Sequence, residues 1–486
     1  MVGVLLVSVF LVATCGLVYE LVAGALASYL LGDSVLQFST IIGTYLFAMG
    51  VGSYIAKWVE RGLLMVFVQV QILVGLIGGT SATLLFFVFS YGAAFRPVLY
   101  GVVFTIGLLV GLEIPLLLRI LKEHLSFRDL VSQVLALDYV GALAASVFFP
   151  LFLVPHLGLM RTSFLFGMIN VGVALVFCLR FQKEGRWGGL VAESVVVLIL
   201  LLAGFIGTDF LTRKAEEALY PAPVVMSEQT PYQKLAITKD RLETRLYLNG
   251  NLQFSTFDEY RYHEALVVPA LMAHPSPRRV LVLGGGDGLA VKLLLQDPRV
   301  EEIVLVELDR KMIDIFRDHD EIARLNDYAL RSDKVKVVLG DAFIWLEQSQ
   351  EKFDLALVDF PDPSNYSVGK LYTTYFYRRL AARLNPGAAV SIQCSSPLKA
   401  RKTFWCIART LEKAGFNVRP YHALVPAFGE WGFCLARLDD RQDFYPATLS
   451  TQYVDDQVLP TLFVMPKDMG PIEVQPNTLF DQVLIR

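Results

Sequence analysis

Charged residues avoid the first two-fifths of this chain. Lys, Arg, Asp and Glu make up 19 of residues 1–207, about 9%, but 70 of the remaining 279, about 25%. Ordinary soluble domains sit near 25%, so the two halves are made for different solvents. Apolar runs recur near 4–31, 36–56, 63–90, 97–120, 132–155, 160–180 and 189–207. Each reaches about 18 residues or more, enough to cross roughly 30 Å of hydrocarbon. An N-terminal α-helical transmembrane bundle of about seven spans is therefore expected. The first run lacks a basic flank and further spans follow at once, so it reads as a span and not a cleaved signal.

Small residues pepper these runs, among them Gly43, Gly50, Gly75, Gly78, Gly79, Gly107 and Gly111. In lipid they let helices approach closely, and packing is the plain reading. Glu20, Glu113 and Asp138 lie in or near the spans. Charge there is costly, so these acids face the bundle interior, either as interhelical hydrogen-bonding groups or as part of a cation path. Lys57, Arg61, Lys122, Arg128, Lys183 and Arg186 follow the even-numbered spans, against Arg96 and Arg161 after the odd ones. The positive-inside rule then puts the N-terminus in the cytoplasm, and an odd span count would send the second half outside.

The whole chain of 486 residues is 54% hydrophobic and 18% charged, which excludes disorder, a coiled coil and a purely soluble enzyme. A net charge of −3 argues against a nucleic-acid partner. Five scattered cysteines (Cys15, Cys178, Cys394, Cys406 and Cys434) show no metal or disulfide spacing and read as buried thiols.

Composition changes near Thr208. Residues 208–224, with Pro221 and Pro223, read as a linker between the 1–207 bundle and the second half. A small antiparallel β subdomain is expected over 225–257, with a hairpin at Asn249-Gly250. Strand-like runs at 278–284, 301–309, 334–342, 352–360 and 388–394 then alternate with helical stretches over 258–439. This is the pattern of an α/β doubly wound sheet, which binds ligands at the carboxyl ends of its strands. Residues 440–486 form an extension without a recognisable motif.

Those strand ends carry the chemistry. The first runs into Gly284-Gly285-Gly286-Asp287-Gly288, where absent Cβ atoms let backbone approach a ligand. Such turns serve several nucleotide folds. The second ends in Glu307, placed to accept both ribose hydroxyls. The third ends in Asp341, suited to the amine of adenine; alone, each acid could equally cap a helix. The fourth ends in Asp359-Phe360-Pro361-Asp362-Pro363. An amine nucleophile arrives protonated, with a pKa of about 10, and a carboxylate in reach can take that proton as a bond forms. The alternative is an Asp-Pro turn.

Together these residues resemble the polyamine aminopropyltransferases, the spermidine and spermine synthases. The resemblance runs from about Tyr232 to Phe433, some 200 residues. Its marks are Tyr232-Gln233; Leu248-Asn249-Gly250 with Gln253; Asp258-Glu259 with Tyr262-His263-Glu264; the Gly-Gly-Gly-Asp-Gly loop; Glu307; Gly340-Asp341; the Asp359/Asp362 pair; Tyr375-Phe376-Tyr377; and Gln393. It implies a Rossmann-like, methyltransferase-type fold. The membrane half resembles that of membrane-fused members around Tyr19-Glu20 and Leu137-Asp138-Tyr139.

The resemblance further implies transfer of the aminopropyl group of decarboxylated S-adenosylmethionine to a polyamine, putrescine by default, releasing 5′-methylthioadenosine. Asp359 would be the base. Gln233, Gln253, Gly284, Gly286, Asp287, Glu307, Asp341 and Ala342 would hold the donor, and Tyr262, His263, Asp362 and Gln393 the acceptor. No metal or other cofactor is implied, and a homodimer is expected. Asp287 facing the donor's ammonium would repel the carboxylate of ordinary S-adenosylmethionine. A methyltransferase, or a polyamine transporter or sensor using the membrane half, are the alternative functions. The sequence departs from the soluble enzymes at Phe360-Pro361 and at Val425-Pro426-Ala427-Phe428, where a phenol near the acceptor is lost. The protein is expected to be integral to the cell membrane. Its catalytic half is expected in the cytoplasm, where the donor is made, although the Lys/Arg distribution points the other way.

Overall fold

The computed structural model describes residues 2–485 apart from 32–33, 93, 123–125, 182–186 and 447–448. Lys183 and Arg186, which bear on orientation, lie outside the described residues. The chain divides into two compact units, Met1–Val224 and Val225–Arg486.

The first unit is helical: α1 (Val2–Leu31), α2 (Ser34–Ile55), α3 (Leu63–Ser90), α4 (Phe95–Leu121), α5 (Phe127–Phe148), α6 (Val154–Phe181), α7 (Gly188–Ile206) and α8 (Thr208–Leu219). The stretch expected as a linker is thus largely the helix α8. Among the described residues, six helices are long and apolar enough to cross a membrane, not seven. The expected spans 132–155 and 160–180 are joined in one 54-residue run, Arg128–Phe181. That run is not straight. A π-helical turn at Phe149–Leu153 contains Pro150, and Gly158 adopts φ 70° and ψ 176°. Thr14 Oγ1 donates to the Gly141 carbonyl at 3.2 Å, while the next residue's thiol, Cys15, donates to the Phe166 carbonyl at 3.8 Å. In an unbroken helix those two carbonyls would stand about 37 Å apart at 1.5 Å per residue. The chain therefore doubles back between them, beside α1.

Packing in this unit relies on backbone approach. A Cβ on Gly111 would overlap the Met49 carbonyl oxygen, and one on Gly52 the Leu108 carbonyl oxygen. Gly75 and Gly167 face each other in the same way, and Gly78 lies under the Tyr19 ring. Gly43 and Gly50 meet nothing, so the packing reading fails for these two. Pro115 inside α4 has no N–H for the Gly111 carbonyl, and Ser53 Oγ donates to that carbonyl instead, at 2.9 Å. Glu113, buried, accepts from Gln71 Nε2 at 2.7 Å, an interhelical hydrogen bond between α3 and α4. Phe47, Leu143, Val196 and Ile199 are exposed on the outside, as lipid-facing side chains would be.

The second unit starts with a four-stranded antiparallel sheet: β1 (Val224–Gln229), β2 (Lys234–Lys239), β3 (Thr244–Leu248) and β4 (Asn251–Ser255). Asn249 and Gly250 both take positive φ, 50° and 78°, the conformation a two-residue hairpin needs. Helix α9 (Glu259–Met272) leads to a seven-stranded sheet. Its strands are β5 (Arg279–Gly284), β6 (Glu302–Glu307), β7 (Val335–Leu339), β8 (Phe353–Asp359), β9 (Leu384–Gln393), β10 (Asn417–Val425) and β11 (Gly429–Arg437). Their spatial order is β10-β11-β9-β8-β5-β6-β7, parallel except at β10 and β11. The last two strands and β1 were not anticipated from sequence.

Both faces of this sheet are covered. Val280, Val282, Ile303 and Leu305 pack into one core, while Leu281, Leu283, Val304 and Val306 pack into the other. That is why the inner positions of β5 and β6 are apolar without alternation. From β5 the chain moves outward to β6 and β7 and then returns to β8 on the other side of β5. The crevice at that reversal is where such sheets bind ligands.

Gly111→Ala should lower the thermal midpoint of the detergent-solubilised protein by the equivalent of about 1–3 kcal/mol, because its Cβ drives α2 and α4 apart. Gly43→Ala should leave it unchanged. Equal midpoints for both variants would contradict the packing described.

Candidate active site

Strand register assembles the site. Gly284, the last residue of β5, is paired with Asp359, the last of β8. A Cβ on Gly284 would overlap the Asp359 carbonyl oxygen, and one on Gly286 would lie 2.8 Å from Glu307 Oε2. Gly284, Gly285 and Gly288 have φ between 68° and 79°, which other residues reach only with strain. The glycines thus bring the turn against both acids. Asp287 is buried in this turn and accepts from Leu289 N at 2.9 Å. Asn326 Nδ2 donates to the Asp287 carbonyl at 2.7 Å and fixes the loop from below.

Helix α9 supplies the opposite wall. Tyr262 donates its hydroxyl to Asp359 Oδ1 at 2.5 Å. Its ring is boxed by Phe428, Trp431 and Phe433, with centroids 6.2, 6.5 and 5.4 Å away. An aromatic wall thus stands where the phenol is lost. His263, buried one residue on, donates from Nδ1 to Glu259 Oε2 at 2.7 Å.

The loop after Asp359 is held by side chains. Tyr372 donates to the carbonyls of Phe360 at 3.2 Å and Pro361 at 3.1 Å. Gln393, at the end of β9, donates to the Phe360 carbonyl and to Tyr372 Oη, and accepts from Ser395 N at 3.0 Å. Ser395 Oγ donates to Asp362 Oδ2 at 3.0 Å. Sequence reasoning missed Tyr372 and Ser395. Tyr372 sits among other tyrosines, Tyr377 as buried as it is, and only its hydroxyl's bonds to the loop set it apart. Ser395 shows its role through a positive φ of 65°, which no local motif announces.

The remaining candidates divide. Gln233 Nε2 donates to Asp309 Oδ2 at 3.1 Å, and Asp309 N donates to Glu307 Oε1 at 2.9 Å, so Gln233 stands beside the Glu307 end. Asp341 has both oxygens engaged: one caps the helix from Ala342 by accepting from Phe343 N at 2.8 Å, and the other meets Lys370 Nζ at 2.6 Å. Ala342 is buried behind it. Gln253, on β4, donates to the Asn251 carbonyl at 3.2 Å, within its own hairpin.

The electrostatics are those of acids crowded out of water. Burial, opposed by His263 and reinforced by Asp359, pushes Asp287 up to about 6. Burial raises Asp359 too, against the charge of His263 and the Tyr262 hydrogen bond. Burial raises Asp362, with Ser395 and Gln393 opposing, and lifts Glu307 to about 7. Burial works against a charge on His263. Its hydrogen bond and ion pair with Glu259, and the charges of Asp287 and Asp359, nonetheless raise it to about 9. The site can thus bind a cation, hold a sugar diol and accept a proton.

The spermine/spermidine synthase domain family matches residues 259–445. The chain is 50% identical to a polyamine aminopropyltransferase of Leptospira interrogans, over 99% of this chain and 97% of that one. It is 49% identical to polyamine aminopropyltransferase 2 of Ralstonia nicotianae, over 100% and 97%. Among solved structures, spermidine synthase from Thermotoga maritima shares 24% identity with a TM-score of 0.47, covering 51% of this chain and 87% of that one.

The buried imidazolium gives a test that needs no substrate. Its folded value of about 9 lies above the ordinary 6.5. Its stabilisation is therefore complete below about pH 6.5 and is lost as pH rises through 9, on the order of 3 kcal/mol in all. The thermal midpoint of the full-length protein should fall between pH 6.5 and 9.5, and His263→Gln should flatten that fall. Parallel curves would contradict the pairing with Glu259.

Proposed function

The chain belongs to the polyamine aminopropyltransferase family, and from that premise we propose how its own residues carry out the transfer. The donor is decarboxylated S-adenosylmethionine, and the acceptor we assign is putrescine, giving spermidine. Asp287 takes the donor's primary ammonium, and Glu307, with Gln233 beside it, takes the ribose hydroxyls. Gly284 and Gly286 leave room for the thioether, and Asp341 with Ala342 flanks the adenine once Lys370 gives way. Gln253 lines the donor side from the small sheet, by movement of its hairpin.

The acceptor's reacting amine sits between Asp359 and Asp362, with its methylenes against Tyr262, Phe428 and Trp431. Asp359 takes the proton. The freed nitrogen lone pair attacks the carbon next to the sulfonium, the C–S bond breaks, and its electrons neutralise the sulfur. The leaving group is 5′-methylthioadenosine. Tyr262 orients Asp359, while Gln393 holds the loop that carries Asp362. His263 limits repulsion between Asp287 and Asp359, so that both can be ionised when the cations arrive. The observation that carries this reading is the Tyr262–Asp359 hydrogen bond across from the Gly284–Asp287 turn. It holds a buried carboxylate, raised by burial, against that turn, where the proposed transfer needs a proton acceptor.

The strand order supports the Rossmann-like, methyltransferase-type reading of the second unit. For the first unit we propose seven membrane crossings, the doubled-back Arg128–Phe181 run counting as two. The catalytic half is placed on the cytoplasmic side of the cell membrane, with the donor, against the Lys/Arg distribution. A homodimer is carried as part of the same reading.

Asp359→Asn should bind the nucleoside donor with nearly unchanged affinity and lower 5′-methylthioadenosine release by about 10²–10⁴-fold, the usual share of a general base. Wild-type turnover in this variant would remove Asp359 as the base. Assaying the wild type with putrescine, cadaverine and spermidine should show the highest kcat/KM for putrescine. For sidedness, all five native cysteines are buried, so Leu242→Cys, on a site 91% exposed, offers a nearly silent background. A membrane-impermeant maleimide should label it only after cells are permeabilised. Labelling of intact cells would place the catalytic half outside.

A further inference from the structure

Residues 440–486 carry no motif, yet two of their contacts end one step from the reacting groups. Glu264, on α9 and buried, accepts three backbone N–H groups of this segment: Gln452 at 2.7 Å, Tyr453 at 2.8 Å and Val454 at 2.9 Å. Three bonds to one carboxylate are a strong anchor, because each is charge-assisted. Next to it, the Arg261 guanidinium lies 4.3 Å from the Tyr453 ring centre. Val454, Leu459 and Leu462 bury themselves in the same core as Tyr262. Glu264 follows Tyr262 and His263 directly, so the anchor fixes the turn of helix that presents both to Asp359.

The second contact is Asn477, fully buried. Its Nδ2 donates to the carbonyls of Gly369 and Tyr372, both at 3.1 Å, and its own carbonyl accepts from Thr374 N at 3.0 Å. Its N–H is held by Thr410 Oγ1 at 2.8 Å. Asn477 therefore grips the backbone on both sides of Tyr372, whose hydroxyl holds the Phe360 and Pro361 carbonyls between Asp359 and Asp362. Each clamp acts on one of the two tyrosines that set the catalytic loop.

We propose that Glu264 and Asn477 are positioning residues, through which the 440–486 segment straps Tyr262 and Tyr372 in place and so fixes the geometry of Asp359 and Asp362. Neither touches substrate. The proposal rests on Asp359 being the base in the proposed transfer. A glutamine at 264 offers one acceptor oxygen and turns an amide N–H toward the segment's own donors, so the anchor loosens without loss of volume. A serine at 477 keeps at most one of the two carbonyl bonds.

The test uses the full-length protein in detergent, with kcat and both KM values measured across pH for Glu264→Gln, Glu264→Asp, Asn477→Ser and Tyr262→Phe. Glu264→Gln and Asn477→Ser should each lower kcat about tenfold with the donor KM within twofold. Glu264→Asp, which keeps both oxygens, should recover part of the loss. Loosening Tyr262 removes a hydrogen bond that favours ionised Asp359, so the acid limb of kcat/KM should move to higher pH in Glu264→Gln, as in Tyr262→Phe. Combining those two should cost less than the product of their separate effects, because they act through one contact. A folded Glu264→Gln or Asn477→Ser enzyme with wild-type kcat and pH profile would overturn the proposal, as would multiplicative effects in the double variant. Should one variant fail to fold, the other decides the matter at its own clamp. An active Asp359→Asn would strike the underlying reading of the base. A silent Glu264→Gln beside an inactive Asp359→Asn would strike the clamp alone.

Discussion

Carboxylates that share a dry space repel one another, and the catalytic half of this protein is arranged around that repulsion. Asp287, Asp359, Asp362 and Glu307 converge where strands end, and His263 is the cation buried with them. Burial raises every one of these acids, so the resting site carries an electrostatic cost that positively charged substrates relieve. In the proposed transfer, the donor's ammonium and the acceptor's amine are such charges. A preference for cationic groups would then follow from the same cost, since a carboxylate on the donor would add to it. The glycine turn, the aromatic wall and the two tyrosine hydroxyls keep these charges close without letting them separate.

How much of this the amino-acid order disclosed depends on range. The acids at the strand ends were legible because short apolar runs stop at or just before Glu307, Asp341 and Asp359, and a parallel sheet aligns such ends. The Asn249-Gly250 hairpin was legible because two successive positive φ values demand that pair. Strands β10 and β11 were less so. Their residues mix Arg, His, Glu and Trp with apolar ones, since these strands lie toward the sheet's edge. Glu259 stood in plain sight beside Tyr262 and His263, yet only helical spacing of four residues shows it as the partner of the imidazole. Asp341 illustrates the reverse: the residue was found, but its pairing with Lys370, 29 residues away, was not.

In the membrane half, composition alone located the helices, because hydrocarbon thickness fixes their length. It also separated 132–155 from 160–180, and the non-helical Gly158 falls in that gap; what it did not show is that the helical run continues through Pro150 as a π turn up to that point. Nor did glycine content separate contacts from open surface. Gly111 and Gly43 look alike in sequence, and only the neighbouring backbone distinguishes them. Glu113 met the milder of its two readings through Gln71, a residue with no signal of its own among the surrounding leucines and valines.

The grip of Asn477 on the chain around Tyr372 has a consequence in time as well as in space. Ribosomes deliver residues in order, and the loop between Asp359 and Asp362 emerges more than a hundred residues before the asparagine that braces it. Until that late stretch is translated and docked, the pair of aspartates lacks its outer support. On the proposed strap, a polypeptide still lacking that stretch would be poorly placed to consume a costly nucleoside, and competence would wait on it.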